Sequence, residues 1–89
     1  MVIYRKTIIN KLGLHARAAS KFVTTSSAFS CQVDIVFNGR KVDGKSIMSV
    51  MMLAAGKGSE LELHCDGKDE GAAVEALSNL IDDRFGEDE

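Results

Sequence analysis

The pentapeptide Gly13-Leu14-His15-Ala16-Arg17 concentrates the residues of this chain best suited to chemistry. Just after it, Ala19, Phe22 and Val23 repeat at helical spacing while Arg17, Lys21 and Thr24 fall elsewhere, which predicts an amphipathic helix over Ala16 to Ser27. His15 then stands at a helix N-terminus, where unpaired backbone N–H groups and the positive end of the macrodipole can hold a phosphate. A neutral imidazole is a nucleophile. Arg17, two residues on, offers a planar set of donors to the same phosphate, and Gly13 is read as leaving the approach uncrowded. Spacing alone fits an incidental surface histidine beside an incidental arginine at least as well.

The elements that must hold this segment follow from periodicity. Val2 to Ile9 is β-branched and aromatic enough for a strand, and Asn10 to Gly13 supplies a turn. Val33, Ile35 and Phe37 alternate, then Asn38-Gly39 leads into Arg40 to Asp43, the pattern of a hairpin through a two-residue turn. Ser46 is placed to cap a short second helix through Leu53, which Gly56 and Gly58 end. Glu60 to Cys65 alternates strictly, with Leu61, Leu63 and Cys65 on one face and Glu60, Glu62 and His64 on the other. Asp69 and Glu70 open a last helix with an inner stripe of Ala73, Val74, Leu77, Leu80 and Ile81; the acidic tail Gly86 to Glu89 is expected to fray. The order βαββαβα predicts an α/β (α+β) open-faced β-sandwich over residues 1–89, a four-stranded antiparallel sheet with three helices on one face.

At 89 residues, 45% hydrophobic and 27% charged, the chain fits one compact domain and excludes a multidomain enzyme. A domain this small hides only about 60% of its unfolded surface, so chemistry is expected at the surface rather than in a large cavity. The longest apolar run, Ile47 to Ala55, is broken by Ser49 and falls short of the roughly 20 residues that span a bilayer. The N-terminus lacks the layout of a secretory signal, and the cytoplasm is the expected compartment. Up to Gly58 there are nine Lys or Arg against Asp34 and Asp43; after it, Lys68 and Arg84 face eleven acids. A basic face and an acidic face follow if the fold keeps these segments on different sides. Nucleic acid is a poor fit for a basic face with only 6% aromatic residues to stack on bases.

Other groups carry weaker signals. Gly39 to Ser46 matches the phosphate-loop pattern of nucleotide-binding domains, but a hairpin strand is the wrong context and the chain is too short for the βα units such domains use. Cys31 and Cys65 share the parity of the inward-facing residues, so both are expected as buried free thiols. His64 and Cys65 point to opposite faces, which argues against a metal site built from them, and His64 is expected to be an exposed strand residue. Ile47, Met48 and Met51 are read either as core packing or as an adaptable docking surface beside His15, together with Arg17, Ser20 and Lys21.

Three segments in register resemble one family: Gly13-Leu14-His15-Ala16-Arg17-Ala18-Ala19-Ser20-Lys21-Phe22-Val23, the run from Asn38 to Leu53, and Ala55-Gly56-Lys57-Gly58. Over nearly its whole length the chain is similar to the HPr family, the histidine phosphocarriers of the bacterial phosphoenolpyruvate-dependent phosphotransferase system. The resemblance implies that His15 accepts a phosphoryl group on Nδ1 from phosphorylated enzyme I and passes it to an enzyme IIA domain, with Arg17 steadying the phosphate. It implies that Ser46 corresponds to the regulatory phosphorylation site, served by an HPr kinase/phosphorylase, and that Ser20, Lys21, Ile47, Met48 and Met51 dock partners. No cofactor or metal is implied, and a monomer is expected that is a substrate of phosphotransferases rather than a turnover enzyme. Many members have proline directly after the active-site arginine, where this chain has Ala18, the best of helix formers. The alternative is a small ligand-sensing or nucleic-acid-binding α/β module, which the fold alone does not oppose.

Overall fold

The computed structural model describes residues 1–89. Its elements are β1 (Val2–Thr7), α1 (Ala16–Ser27), β2 (Gln32–Phe37), β3 (Arg40–Asp43), α2 (Ile47–Met52), β4 (Glu60–Asp66) and α3 (Glu70–Asp82), followed by a short 3-10 turn, Arg84–Gly86. The four strands form one antiparallel sheet in the order β1-β4-β2-β3. Strand β4 takes an inner place because its alternation gives it one wholly apolar side: Leu61, Leu63 and Cys65 are completely buried. Cys65 lies opposite Val2 on one neighbour and Val33 on the other.

The three helices cover that side. Ala18, Ala19 and Phe22 of α1, Val50 of α2, and Ala73, Leu77 and Ile81 of α3 are all fully buried, as the inner stripe of the last helix predicts. Each large side chain among them contributes about 2 kcal/mol by leaving water. Cys31 is buried with Cys65, and both are free thiols. At Asn38 and Gly39 both φ angles are positive, 51° and 76°, which is the twist a two-residue hairpin needs. Phe37 pairs with Arg40 and Asp34 with Asp43 across that hairpin, so Gly39 to Ser46 is no nucleotide-phosphate loop.

Several details depart from the sequence reading. The first strand stops at Thr7, because its partner β4 begins at Glu60, which lies opposite Thr7. Ile8 is still tied to the next loop, donating to the Ser59 carbonyl at 2.8 Å, while Ile9 turns partly to solvent. The helix begun by Ser46 ends one residue early, at Met52, with Leu53 as its cap. His64 is half-buried rather than exposed: it sits on an inner strand between Ile3 and Asp34, with Nε2 3.0 Å from Glu62 Oε1.

The expected separation into a basic and an acidic face is also corrected. Sheet order sets basic β1 directly against acidic β4, and Arg5 pairs with Glu62 at 3.5 Å. Lys6 pairs with Asp82 at 2.7 Å and Lys11 with Glu89 at 3.3 Å, so the two halves of the sequence interleave. No helix of the structure is long and apolar enough to cross a membrane.

Candidate phosphoryl-acceptor site at the start of the first helix

Loop 8–15 reaches α1 by docking on the loop after α2. Leu14 N–H donates to the Ala55 carbonyl at 2.8 Å, and Leu14 itself is buried. Gly13 has φ of +65° and lies so close to that loop that a Cβ would stand 2.5 Å from the Ala55 oxygen and 2.6 Å from the Gly56 Cα. Its role is therefore to let two backbones meet, not to clear a path for an incoming group.

His15 is the N-cap of α1. Its backbone is extended, φ −73° and ψ 179°, its carbonyl accepts the Ala19 N–H at 2.8 Å, and its side chain makes no capping bond to the helix. The ring thus stands off the helix end, 28% exposed, in an open cleft of about 830 Å³ that Lys11, Arg17 and Lys21 also line. Arg17 is exposed within the first turn. Three cationic side chains, the first-turn N–H groups and a partly exposed imidazole suit the site to an anionic group, although Glu87, Asp88 and Glu89 line the same cleft and engage part of that positive charge.

The same cleft holds the C-terminal tail, which the sequence reading expects to fray. Past α3 the chain turns through Arg84 and Phe85, both left-handed with φ of 55° and 54°, and Phe85 is buried. Lys21 Nζ donates to the Phe85 carbonyl at 2.6 Å, and Lys11 N–H to the Glu89 carbonyl at 2.6 Å. Glu87 is delivered to His15, its Oε2 hydrogen bonded to the ring Nε2. Acidic side chains meet the basic rim of the cleft, which adds to the anchoring of the tail by buried Phe85.

Asn10, read from sequence only as a turn residue, completes the arrangement. Fully buried, it donates through Nδ2 to the Gly13 carbonyl at 2.8 Å and to Glu87 Oε1 at 2.9 Å. Its hydrogen bond is the main cause holding the Glu87 carboxyl below the ordinary range against desolvation; His15 and the charge of Arg17 add to it. Neither Asn10 nor Glu87 carries a sequence signal for this, since they are 77 residues apart.

The remaining site residues fall on two neighbouring helices. Ser20 is exposed on α1, whereas Lys21 is half-buried and bound to the Phe85 carbonyl. Ser46 caps α2, its Oγ accepting the Ser49 N–H at 3.4 Å. Ile47, Met48 and Met51 are 40%, 66% and 38% exposed while Val50 and Leu53 fill the core, so these three form surface and not core packing.

A family model described as the phosphorylation site of the phosphotransferase HPr component matches residues 5–83. The chain belongs to the HPr family. It is 60% identical over 84 residues to the phosphocarrier protein HPr of Pseudomonas aeruginosa, covering 93% of each chain, and 56% identical over 82 residues to that of Neisseria meningitidis serogroup A, covering 92% of each. Among solved structures, an HPr from Thermoanaerobacter tengcongensis superposes with a TM-score of 0.96 at 43% identity over 100% of both chains. A second structure from that organism, described as an HPr dimer, gives 0.79 at 45% identity over 92% of this chain and 94% of that one. Membership makes the protein a phosphocarrier of the phosphotransferase system rather than a stand-alone catalyst, on the same βαββαβα fold.

Proposed function

We propose that His15 is the phosphoryl acceptor of this HPr-type carrier: its Nδ1 takes the group from phosphorylated enzyme I and yields it to an enzyme IIA domain. The observation that carries this is the placement of His15 as the N-cap of α1, its ring free of the helix and accessible beside Arg17. Arg17 steadies the phosphate as a planar donor, and the uncapped first turn adds fixed positive dipole without reorganisation. The partners supply the rest of the catalytic groups.

Docking is assigned to Ser20, Lys21, Ile47, Met48 and Met51. The three apolar residues are supported by their exposure on a helix that packs against α1. Lys21 contributes charge at the rim while its Nζ stays tied to the tail. Ser46, at the head of that surface, is assigned as a regulatory phosphorylation site acting on partner binding. The reading places the protein in the cytoplasm as a monomer. The test is incubation with enzyme I and phosphoenolpyruvate: an acid-labile, base-stable mass gain of one phosphoryl group is expected, and its absence overturns the proposal.

A further inference from the structure

We infer that Glu87 is a positioning residue for the transfer: its carboxylate holds the His15 ring in the tautomer that carries its proton on Nε2, so that Nδ1 presents a lone pair to phosphorus. This rests on the reading of His15 as the acceptor. An ionised carboxylate only accepts hydrogen bonds, so the nitrogen facing Glu87 Oε2 must be the donor. In a neutral imidazole the other nitrogen is then the acceptor, and the nucleophile. Asn10 cannot reverse this logic, because its two neighbours, the Gly13 carbonyl and Glu87 Oε1, are both acceptors and call for the amide nitrogen. Its Oδ1 is left buried without a partner, a cost accepted to aim the NH2 at the carboxylate.

The delivery of Glu87 is itself built. Two consecutive left-handed residues without glycine's freedom, Arg84 and Phe85, are costly, and such strain persists only where the surroundings over-determine it. Here the Phe85 ring is buried and its carbonyl is gripped by Lys21, and the chain beyond is held by the Lys11 N–H on the Glu89 carbonyl. The Glu87 side chain is only 13% exposed. An acidic tail held merely by charge would need none of these anchors.

In the transfer, the Nδ1 lone pair forms the N–P bond while the bond from phosphorus to the donor breaks, its electron pair leaving with the donor. The Nε2 proton stays in place. The phosphorylated ring becomes a cation facing the Glu87 carboxylate, and on the onward step the N–P electron pair returns to Nδ1 as phosphorus passes to the acceptor.

The test compares the full chain with Glu87→Gln and Glu87→Ala, reading the His15 ring 15N shifts at a pH where the imidazole is neutral and the rate of phosphoryl uptake from enzyme I. The parent should show the Nε2–H tautomer. Glu87→Gln has one oxygen for two donors, Asn10 Nδ2 and the ring, and with that oxygen on Asn10 its NH2 faces Nε2, so it should lose the preference for the Nε2–H tautomer; Glu87→Ala should give a tautomer mixture and transfer slowed about tenfold. An unchanged tautomer and rate in Glu87→Ala, or faster transfer in either variant, would overturn the inference, the latter marking the tail as an obstruction. Failure of the underlying reading looks different: label would then be missing from the parent or would persist in His15→Ala, while the ring shifts still report on Glu87.

Discussion

Gly13 and Ala55 meet backbone to backbone: a Cβ on Gly13 would stand 2.5 Å from the carbonyl oxygen that accepts the Leu14 N–H. This contact sets where α1 begins relative to α2, and so where His15 stands relative to the apolar residues of α2. Gly13→Ala must adopt φ of +65° and displace the Ala55–Gly56 backbone. A loss of about 3 kcal/mol is expected, from a left-handed non-glycine residue together with overpacking. Urea denaturation measures it; a variant as stable as the parent would show that the two loops separate freely.

Met48 is the most exposed of the three α2 docking residues, at 66%, and makes no part of the core. Met48→Glu should therefore leave the melting temperature within a few degrees of the parent and slow phosphoryl uptake from enzyme I. Association should also weaken with salt, since attraction between the basic rim and an acidic partner reaches only about 8 Å at physiological ionic strength. Stopped-flow transfer kinetics unaffected by both changes would remove this surface from the account.

Ser46 caps α2 through its Oγ, and a phosphate there would meet the favourable end of the helix dipole while adding about −1.5 to −2 charge. Ser46→Asp should fold as stably as the parent, yet bind enzyme I at least about tenfold more weakly, equivalent to about 1.4 kcal/mol. Equal affinity in calorimetry would contradict an inhibitory role.

How much of this was legible in the sequence depends on range. The bounds of α1 and the alternation of β4 are local, written in the spacing of Ala19, Phe22 and Val23 and of Leu61, Leu63 and Cys65. What was not legible is non-local. Interleaving of the basic and acidic halves follows from β4 inserting beside β1, and no window around Arg5 announces Glu62. The course of the tail was not legible for the same reason: two left-handed residues without Gly or Asn leave no local mark, and Phe85 is held by Lys21 from the first helix. His15 and Arg17 stood out because their chemistry is packed into one turn, whereas Asn10 and Glu87 act only once the chain is folded.

The thiols give a pH test. Burial, with Cys31 beside it, pushes the Cys65 thiol from its ordinary 9.0 up to about 11, and burial raises Cys31 as well. A folded value above the unfolded one means that the stabilising contribution is complete below pH 9 and is lost as pH rises toward 11. Unfolding free energy should fall across that window, less steeply in Cys65→Ala, and iodoacetamide should label neither thiol of the folded protein at neutral pH. Rapid labelling, or stability level to pH 11, would contradict this burial.

The central claim is that position makes His15 the acceptor, and the chain holds its own control. His64 offers the same imidazole, but on a strand, half-buried against Glu62, with no helix terminus beside it. Neither His15 nor Arg17 is part of the core, so His15→Ala and Arg17→Ala should fold by circular dichroism. With enzyme I and labelled phosphoenolpyruvate, His64→Ala should take up one phosphoryl group at the parent's rate, Arg17→Ala should take it up slowly, and His15→Ala should take up none. Label on His15→Ala at a rate comparable to the parent's would contradict the account.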